Sequence, residues 1–253
     1  MKPELKRKTG AVTLQNLQAG TQNNLFKVEV FKKSLSFAHL REDHLDKIAA
    51  HATIRYFPKK EFIFHEGDPA SRLCIVQYGR VKLFKGSTSG KEFVAHIAGP
   101  GNTLNIAALC GQEPHFLTAQ CIEDTSILCV GREEFLSFLS EYPSVATKII
   151  AIMGEVTNIA YEKIIDLLVE KVDLRVSNVL FMLSSKFGTT LSLTCRDIAD
   201  IAGTTTESTI RVLSKLKKQG ILRSCRHQII VLDQVKLHES SRSVVGEEIF
   251  NYF

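Results

Sequence analysis

Between residues 194 and 218 the chain sets hydroxyls, a carboxylate and a guanidinium where they can read another molecule's edge. Thr205, Thr206 and Ser208 cluster at one end of an amphipathic run. Glu207 and Arg211 lie four residues apart, on one face of any helix formed there. Arginine offers a bidentate fork that suits guanine O6 and N7, and glutamate accepts from the cytosine amino group. Ile210, on the same side, suits a thymine methyl. Lys215, Lys217 and Lys218 supply phosphate affinity with little base preference. In isolation Glu207–Arg211 would be an ordinary surface pair, so the flanking elements decide its meaning.

Those elements are legible. Thr194 followed by Asp197 has the spacing of a capping box and starts a first helix. Gly203 supplies a turn. Thr205 caps a second helix, whose N-terminus favours Glu207 and can meet a phosphate. Thr209, Val212, Leu213 and Leu216 face inward. A hairpin at 224–232, carrying Arg226, follows as a wing. The spacing therefore predicts a helix-turn-helix that enters the major groove, with Thr194, Arg196, Thr205, Thr206, Glu207, Ser208, Ile210, Arg211, Lys215 and Arg226 as its DNA contacts. The charge agrees: of 253 residues with a net charge of +5, residues 170–236 carry eleven Lys/Arg against six Asp/Glu.

Upstream the texture is different. Seven short strand-like runs (53–57, 61–65, 73–77, 80–84, 93–97, 118–122 and 126–130) alternate with glycine turns and predict an antiparallel sandwich or roll. A pair of short helices is expected at 33–51. From 145 to 168, Ile149, Met153, Val156, Ala160, Ile164 and Leu167 recur at nearly heptad spacing, with further apolar residues alongside. Such a helix suits packing on its own roll and on a partner helix, so this stripe is expected to be a dimer interface. The resulting division is a flexible tail (1–22), a β-roll sensor (23–142), a dimerisation helix (143–170), a DNA-binding domain (171–236) and a C-terminal extension (237–253).

Composition excludes other classes. The apolar fraction is 44% and the charged fraction 23%, as in globular proteins. No apolar run is long enough to span a bilayer, and the basic N-terminus lacks a signal-peptide core, so no membrane role and a cytoplasmic location are expected. The six cysteines form no C-x-x-C pair. No nucleophile–base pair or metal-ligand spacing stands out: no catalytic residues and no metal site are assigned, and an enzyme is not expected.

The chain resembles the Crp/Fnr family of bacterial transcription regulators over about residues 30–235. The marks are Phe62-Ile63-Phe64-His65-Glu66-Gly67-Asp68, Leu73-Cys74-Ile75-Val76, Gly79-Arg80-Val81-Lys82-Leu83, Gly99-Pro100-Gly101 and the Glu207–Arg211 helix. The resemblance implies an α+β fold: an N-terminal cyclic-nucleotide-binding-like β-roll, a long dimerisation helix and a C-terminal winged helix-turn-helix. It also implies a homodimer on a palindromic operator of double-stranded DNA, Glu207 and Arg211 reading G·C pairs, and contact with RNA polymerase if the protein activates.

Departures from the family pattern narrow the signal. The Gly-Glu slot of cyclic-nucleotide binders falls on Asn105-Ile106, the Arg-Ser slot falls near Phe116 and Leu117, and no Lys or Arg occurs from 92 to 131. A buried phosphodiester there would lack its charge partner, so cAMP is not expected. No cysteine precedes Cys74, which argues against an N-terminal iron–sulfur cluster. The readings left open are haem held by His39, His44, His51, His65, His96, His115 or Cys74, and thiol chemistry at Cys110, Cys121 or Cys129. A weakly polar effector lined by Ile106, Leu109, Phe116, Thr118 and Cys121 is another, and control without any effector remains. The rival class is a ligand-binding regulatory module that does not act on DNA.

Overall fold

The computed structural model describes residues 19–86, 92–104, 106–111, 113–225 and 228–241, with the side chains of 19–23 and 162 left aside. It opens with α1 (Ala19–Lys33), a run of turns and α2 (Glu42–Ala50). The expected helix pair at 33–51 is thus one helix, preceded by turns and by α1, whose polar first turns carry no apolar period. Eight strands follow: β1 (Thr53–Phe57), β2 (Phe62–Phe64), β3 (Arg72–Tyr78), β4 (Val81–Gly86), β5 (Glu92–Ala98), β6 (Thr103–Leu104), β7 (Thr118–Cys121) and β8 (Thr125–Gly131). They form two antiparallel sheets in the orders β1-β8-β3-β6 and β2-β7-β4-β5. A short α3 (Ile106–Gly111) sits between β6 and β7.

Alternation along β3 and β8 divides the roll into two cores. Cys74, Val76, Ile127 and Cys129 face the space between the sheets, with Phe57, Phe64, Leu83, Ala119 and Cys121. Leu73, Ile75, Leu128 and Val130 point the other way, under Phe31, Leu45 and Phe135 of the covering helices and Phe37 of the turns between α1 and α2. Strands with two buried faces read as continuous apolar runs, as both do.

After α4 (Arg132–Glu141), Pro143 opens α5 (Pro143–Val169), the long helix. It breaks at Glu170 and Lys171, and α6 (Val172–Phe187) begins a second domain. There follow β9 (Thr190–Leu191), α7 (Cys195–Ala202), α8 (Thr206–Lys218), β10 (Leu222–Cys225), β11 (Gln228–Val231) and α9 (Gln234–Ser240). The last helix, capped by Asp233, buries Leu237 in the same core as Val176, Leu180, Ile198, Val212 and Leu216. Residues 237–240, expected as an aperiodic extension, therefore finish this domain. No helix among the described residues is long and apolar enough to cross a membrane.

The two domains touch. Phe84, Val94 and Ile97 of β4 and β5 join the core of the second domain. Lys163 Nζ of α5 donates to the Val94 carbonyl at 3.1 Å, and Lys186 Nζ of α6 to Asn102 Oδ1 at 3.0 Å. Gly99 leaves room for Phe187, whose ring carbon would lie 2.8 Å from a side chain there.

Candidate nucleic-acid interface

The reading surface is built from two capped helices. Thr194 Oγ1 accepts from the Asp197 backbone N–H at 3.1 Å, and the Asp197 carboxylate accepts from the Thr194 N–H at 2.8 Å, a complete capping box. The Asp197 carboxylate also accepts a hydrogen bond from the Thr194 hydroxyl at 2.7 Å, so the hydroxyl is engaged within its own turn. Gly203 ends α7 in the left-handed region at φ 62°, and Leu167 of α5 fills the space a side chain would need there. Thr205 then caps α8 through the Ser208 N–H at 3.2 Å.

Burial fixes which side of α8 is available. Thr209, Val212, Leu213 and Leu216 pack inward. The opposite line, at spacings of four, three and four, is Glu207, Arg211, Ser214 and Lys218, all exposed. Ser214 belongs to that line although the expected contacts omitted it; the same helical spacing would have found it. Ile210, 48% exposed, flanks it. The Glu207 carboxyl is held below its ordinary value by its own backbone N–H first, then by the Thr205 hydroxyl and Arg211. It is therefore an ionised acceptor at neutral pH. Arg211 donates to Ser208 Oγ at 2.9 Å rather than to Glu207, so no direct hydrogen bond joins the two expected readers.

Other expected contacts are placed around this line. Arg196 projects from the first turn of α7 with its side chain 68% exposed, 3.8 Å from Asp200. Thr206 and Ser208 are half-buried at the start of α8. Lys215 sits to one side and pairs with Asp173 of α6 at 2.8 Å, a surface contact that a phosphate can replace. β10 and β11 pair as the wing hairpin, and Arg226 falls in its connection, outside the described residues. Arg175 holds the assembly to the long helix. Its guanidinium donates to the carbonyls of Glu170, Ala202 and Gly203, joining the α5 break to the turn before α8.

Comparison with known proteins agrees with this geometry. A family model of the cyclic nucleotide-binding domain matches residues 54–142, and one of the Crp-like helix-turn-helix domain matches 174–240. The chain belongs to the Crp/Fnr family of transcription regulators. It is 28% identical to the cyclic AMP receptor protein of Thermus thermophilus over 76% of this chain and 89% of that one. It is likewise 28% identical to the anaerobic regulatory protein of Pasteurella multocida, over 79% and 75%. The structure of FixK2 from Bradyrhizobium japonicum is 28% identical, with a TM-score of 0.67 over 77% of this chain and 99% of that one. A DNA-binding transcription regulator of the Crp/Fnr type is thus the function class.

The expectation against a cyclic nucleotide concerns the roll near Phe116 and Leu117. Phe116, at the phosphate slot, is 67% exposed beneath Lys85, whose Nζ lies 3.9 Å from the ring centre. Lys85 is already neutralised by Glu66 at 2.7 Å. The loop's His115 stacks on Phe64, with ring centres 3.7 Å apart. Nor do the five residues expected to line an effector pocket come together. Leu109 and Ile106 pack under α1 and α2, Cys121 faces the inter-sheet core, Thr118 accepts from the Glu66 N–H, and Phe116 stands outside. The histidines named for haem are dispersed: His39 and His51 are exposed, His44 lies against Tyr142 and His65 against Phe62, and His96 lies where the domains touch.

The regulator's long helix divides its expected interface stripe. Ile149 is buried in its own roll with Met153 against it, and Leu167 packs on Gly203. Val156 is half-buried, while Ala160 and Ile164 are exposed. The outward apolar seam is displaced by about one residue to Ile150, Gly154, Thr157, Tyr161, Ile164 and Leu168, again at heptad spacing. The first third of α5 has to cover the roll, and this rotates the free face.

Proposed function

We propose that this protein is a cytoplasmic homodimer that reads the two halves of a palindromic operator with α8. The observation that carries the reading is the exposed Glu207–Arg211–Ser214–Lys218 line on a helix capped by Thr205. Arg211 takes guanine, Glu207 accepts from cytosine, and Arg196, Thr205, Thr206 and the lysines set the register on phosphates. Support for the dimer comes from the seam on α5: Ile150, Tyr161, Ile164 and Leu168 are between 51% and 80% exposed, more apolar surface than one helix keeps in water. Arg175 and Leu167 tie the end of that helix to the reading turn. A signal that shifts α5 therefore shifts α8. That signal acts at the roll and is neither cAMP nor an N-terminal iron–sulfur cluster. RNA polymerase is the further partner if the protein activates.

The test is Arg211→Ala, on an operator selected from random DNA and on unrelated DNA at the same salt. The substitution costs about 1–3 kcal/mol on the operator alone. Equal losses on both DNAs reject base reading.

A further inference from the structure

The space between the two sheets holds three thiols, and two of them face each other. Cys74 of β3 is the register partner of Cys129 of β8, and their sulfurs lie 4.0 Å apart. Both are buried, at 6% and 3% exposure. The kind of pair follows from the ladder. The Arg132 N–H donates to the Ser71 carbonyl at 3.0 Å, which makes Ser71–Arg132 a hydrogen-bonded pair. Antiparallel pairs alternate, so Cys74–Cys129, three steps on, is non-hydrogen-bonded. In that class the Cα atoms come to about 4.5 Å and the side chains lean together. This lies at the near edge of the range a disulfide spans, about 4.4–6.8 Å.

We propose that Cys74 and Cys129 are a two-electron redox site inside the roll, closing as a cross-strand disulfide when the protein meets a hydroperoxide. Closure has to bring the sulfurs from 4.0 Å to about 2.05 Å, a change of the size side-chain rotation supplies at that Cα spacing. The Cys129 thiolate attacks the peroxide; an S–O bond forms, the O–O bond breaks and the alkoxide takes a proton to leave as alcohol or water. The Cys74 thiol then attacks the sulfenic sulfur. The S–S bond forms, hydroxide leaves, and it takes the Cys74 proton to become water. In sum two thiols and one hydroperoxide give one disulfide, one alcohol (or water) and one water.

The surroundings favour this order. The hydrogen bond shared with Cys74 lowers the Cys129 thiol against the opposing effect of burial, and Arg55 and Arg72 add to the lowering. The same hydrogen bond, with burial, raises Cys74, which stays protonated until the second step. Burial excludes bulky reagents but leaves a small peroxide a path through local opening. The outer faces of the same strands carry Leu73, Ile75, Leu128 and Val130, which share a core with Val145 and Ile149 of α5. A covalent pull between the strands is therefore felt at the base of the long helix.

The experiment uses the reduced full-length protein, hydrogen peroxide at one equivalent per chain, alkylation in denaturant and peptide mapping. Four of the six thiols should remain alkylatable, with Cys74 and Cys129 recovered as one cross-linked peptide that dithiothreitol releases. With Cys129→Ser the cross-link should vanish and at most one core thiol should be lost. The idea is overturned if the wild-type protein loses thiols at the exposed Cys225, or at Cys110 or Cys195, while Cys74 and Cys129 remain fully alkylatable. That result needs no variant to fold.

Discussion

In the DNA-reading helix the charged groups stand in water, whereas at the roll's contact with that domain they are withdrawn from it. Glu207, Arg211 and Lys218 are exposed on α8. Lys163 and Lys186, by contrast, give their ammonium groups to main-chain and amide oxygens against β5, close to the enclosed His96. Burial lowers Lys186 to about 7 and Lys163 to about 8. The proposed reading face is thus exposed, and the buried ammonium groups sit where the roll and the second domain touch. A regulator arranged this way keeps its recognition chemistry constant and places its weak point at the joint.

The largest effect that tests this division is expected on α5. Ile164→Glu puts a charge on the outward seam, and burying an unpaired charge costs about 3–5 kcal/mol. Sedimentation should show monomers at concentrations where the parent protein is dimeric. Met153→Glu should behave differently: Met153 packs on its own roll, so the loss is expected first in the melting temperature. A dimeric Ile164→Glu variant would remove the seam from the interface.

The joint itself predicts a pH dependence. A lysine depressed in the folded state binds fewer protons than in the unfolded chain between its folded value and about 10.4. Stability therefore rises with pH from about 7 upward, by at most about 1.4 kcal/mol per pH unit for each such group. Below 7 both states are protonated at Lys186 and its penalty is fully present. The groups facing it are Lys163, predicted to act in the same direction, and His96, held neutral by burial first and then by the two lysines. Lys186→Met should raise the melting temperature at pH 6.5–7 and flatten the climb toward pH 9. An unchanged slope would mean that the lysine is solvated and the contact between domains is loose.

How far the chain could be read follows the same division. The helix-turn-helix was legible because its signals are local: Thr194 to Asp197 and Thr205 to Ser208 span three residues each, and the inward stripe of α8 has one period. Seven strand runs were legible from their alternating glycine turns. β6, two residues long, and α3, six residues with no full amphipathic repeat, were not. The exposed apolar line of α5 lies about one residue from the expected stripe over most of its length, because the helix is apolar on two sides and only the roll says which side is covered. Lys186 to Asn102 spans 84 residues and Cys74 to Cys129 spans 55, distances at which sequence carries no pairing signal.

The smallest effect decides what Thr194 does. It was expected to touch DNA, yet its hydroxyl both accepts from the Asp197 N–H and donates to the Asp197 carboxylate. A hydroxyl committed twice within its own turn is a cap, and removing an N-cap costs about 1 kcal/mol. Thr194→Ala should therefore lower the stability of the reading domain by about that amount in urea unfolding, while Thr194→Ser should restore it. Operator preference over unrelated DNA should not change, in contrast to Arg211→Ala. A variant with parental stability but weaker binding to every DNA at low salt would instead give the hydroxyl to a phosphate. The boundary between reader and scaffold would then lie one helix earlier than the geometry of α7 puts it.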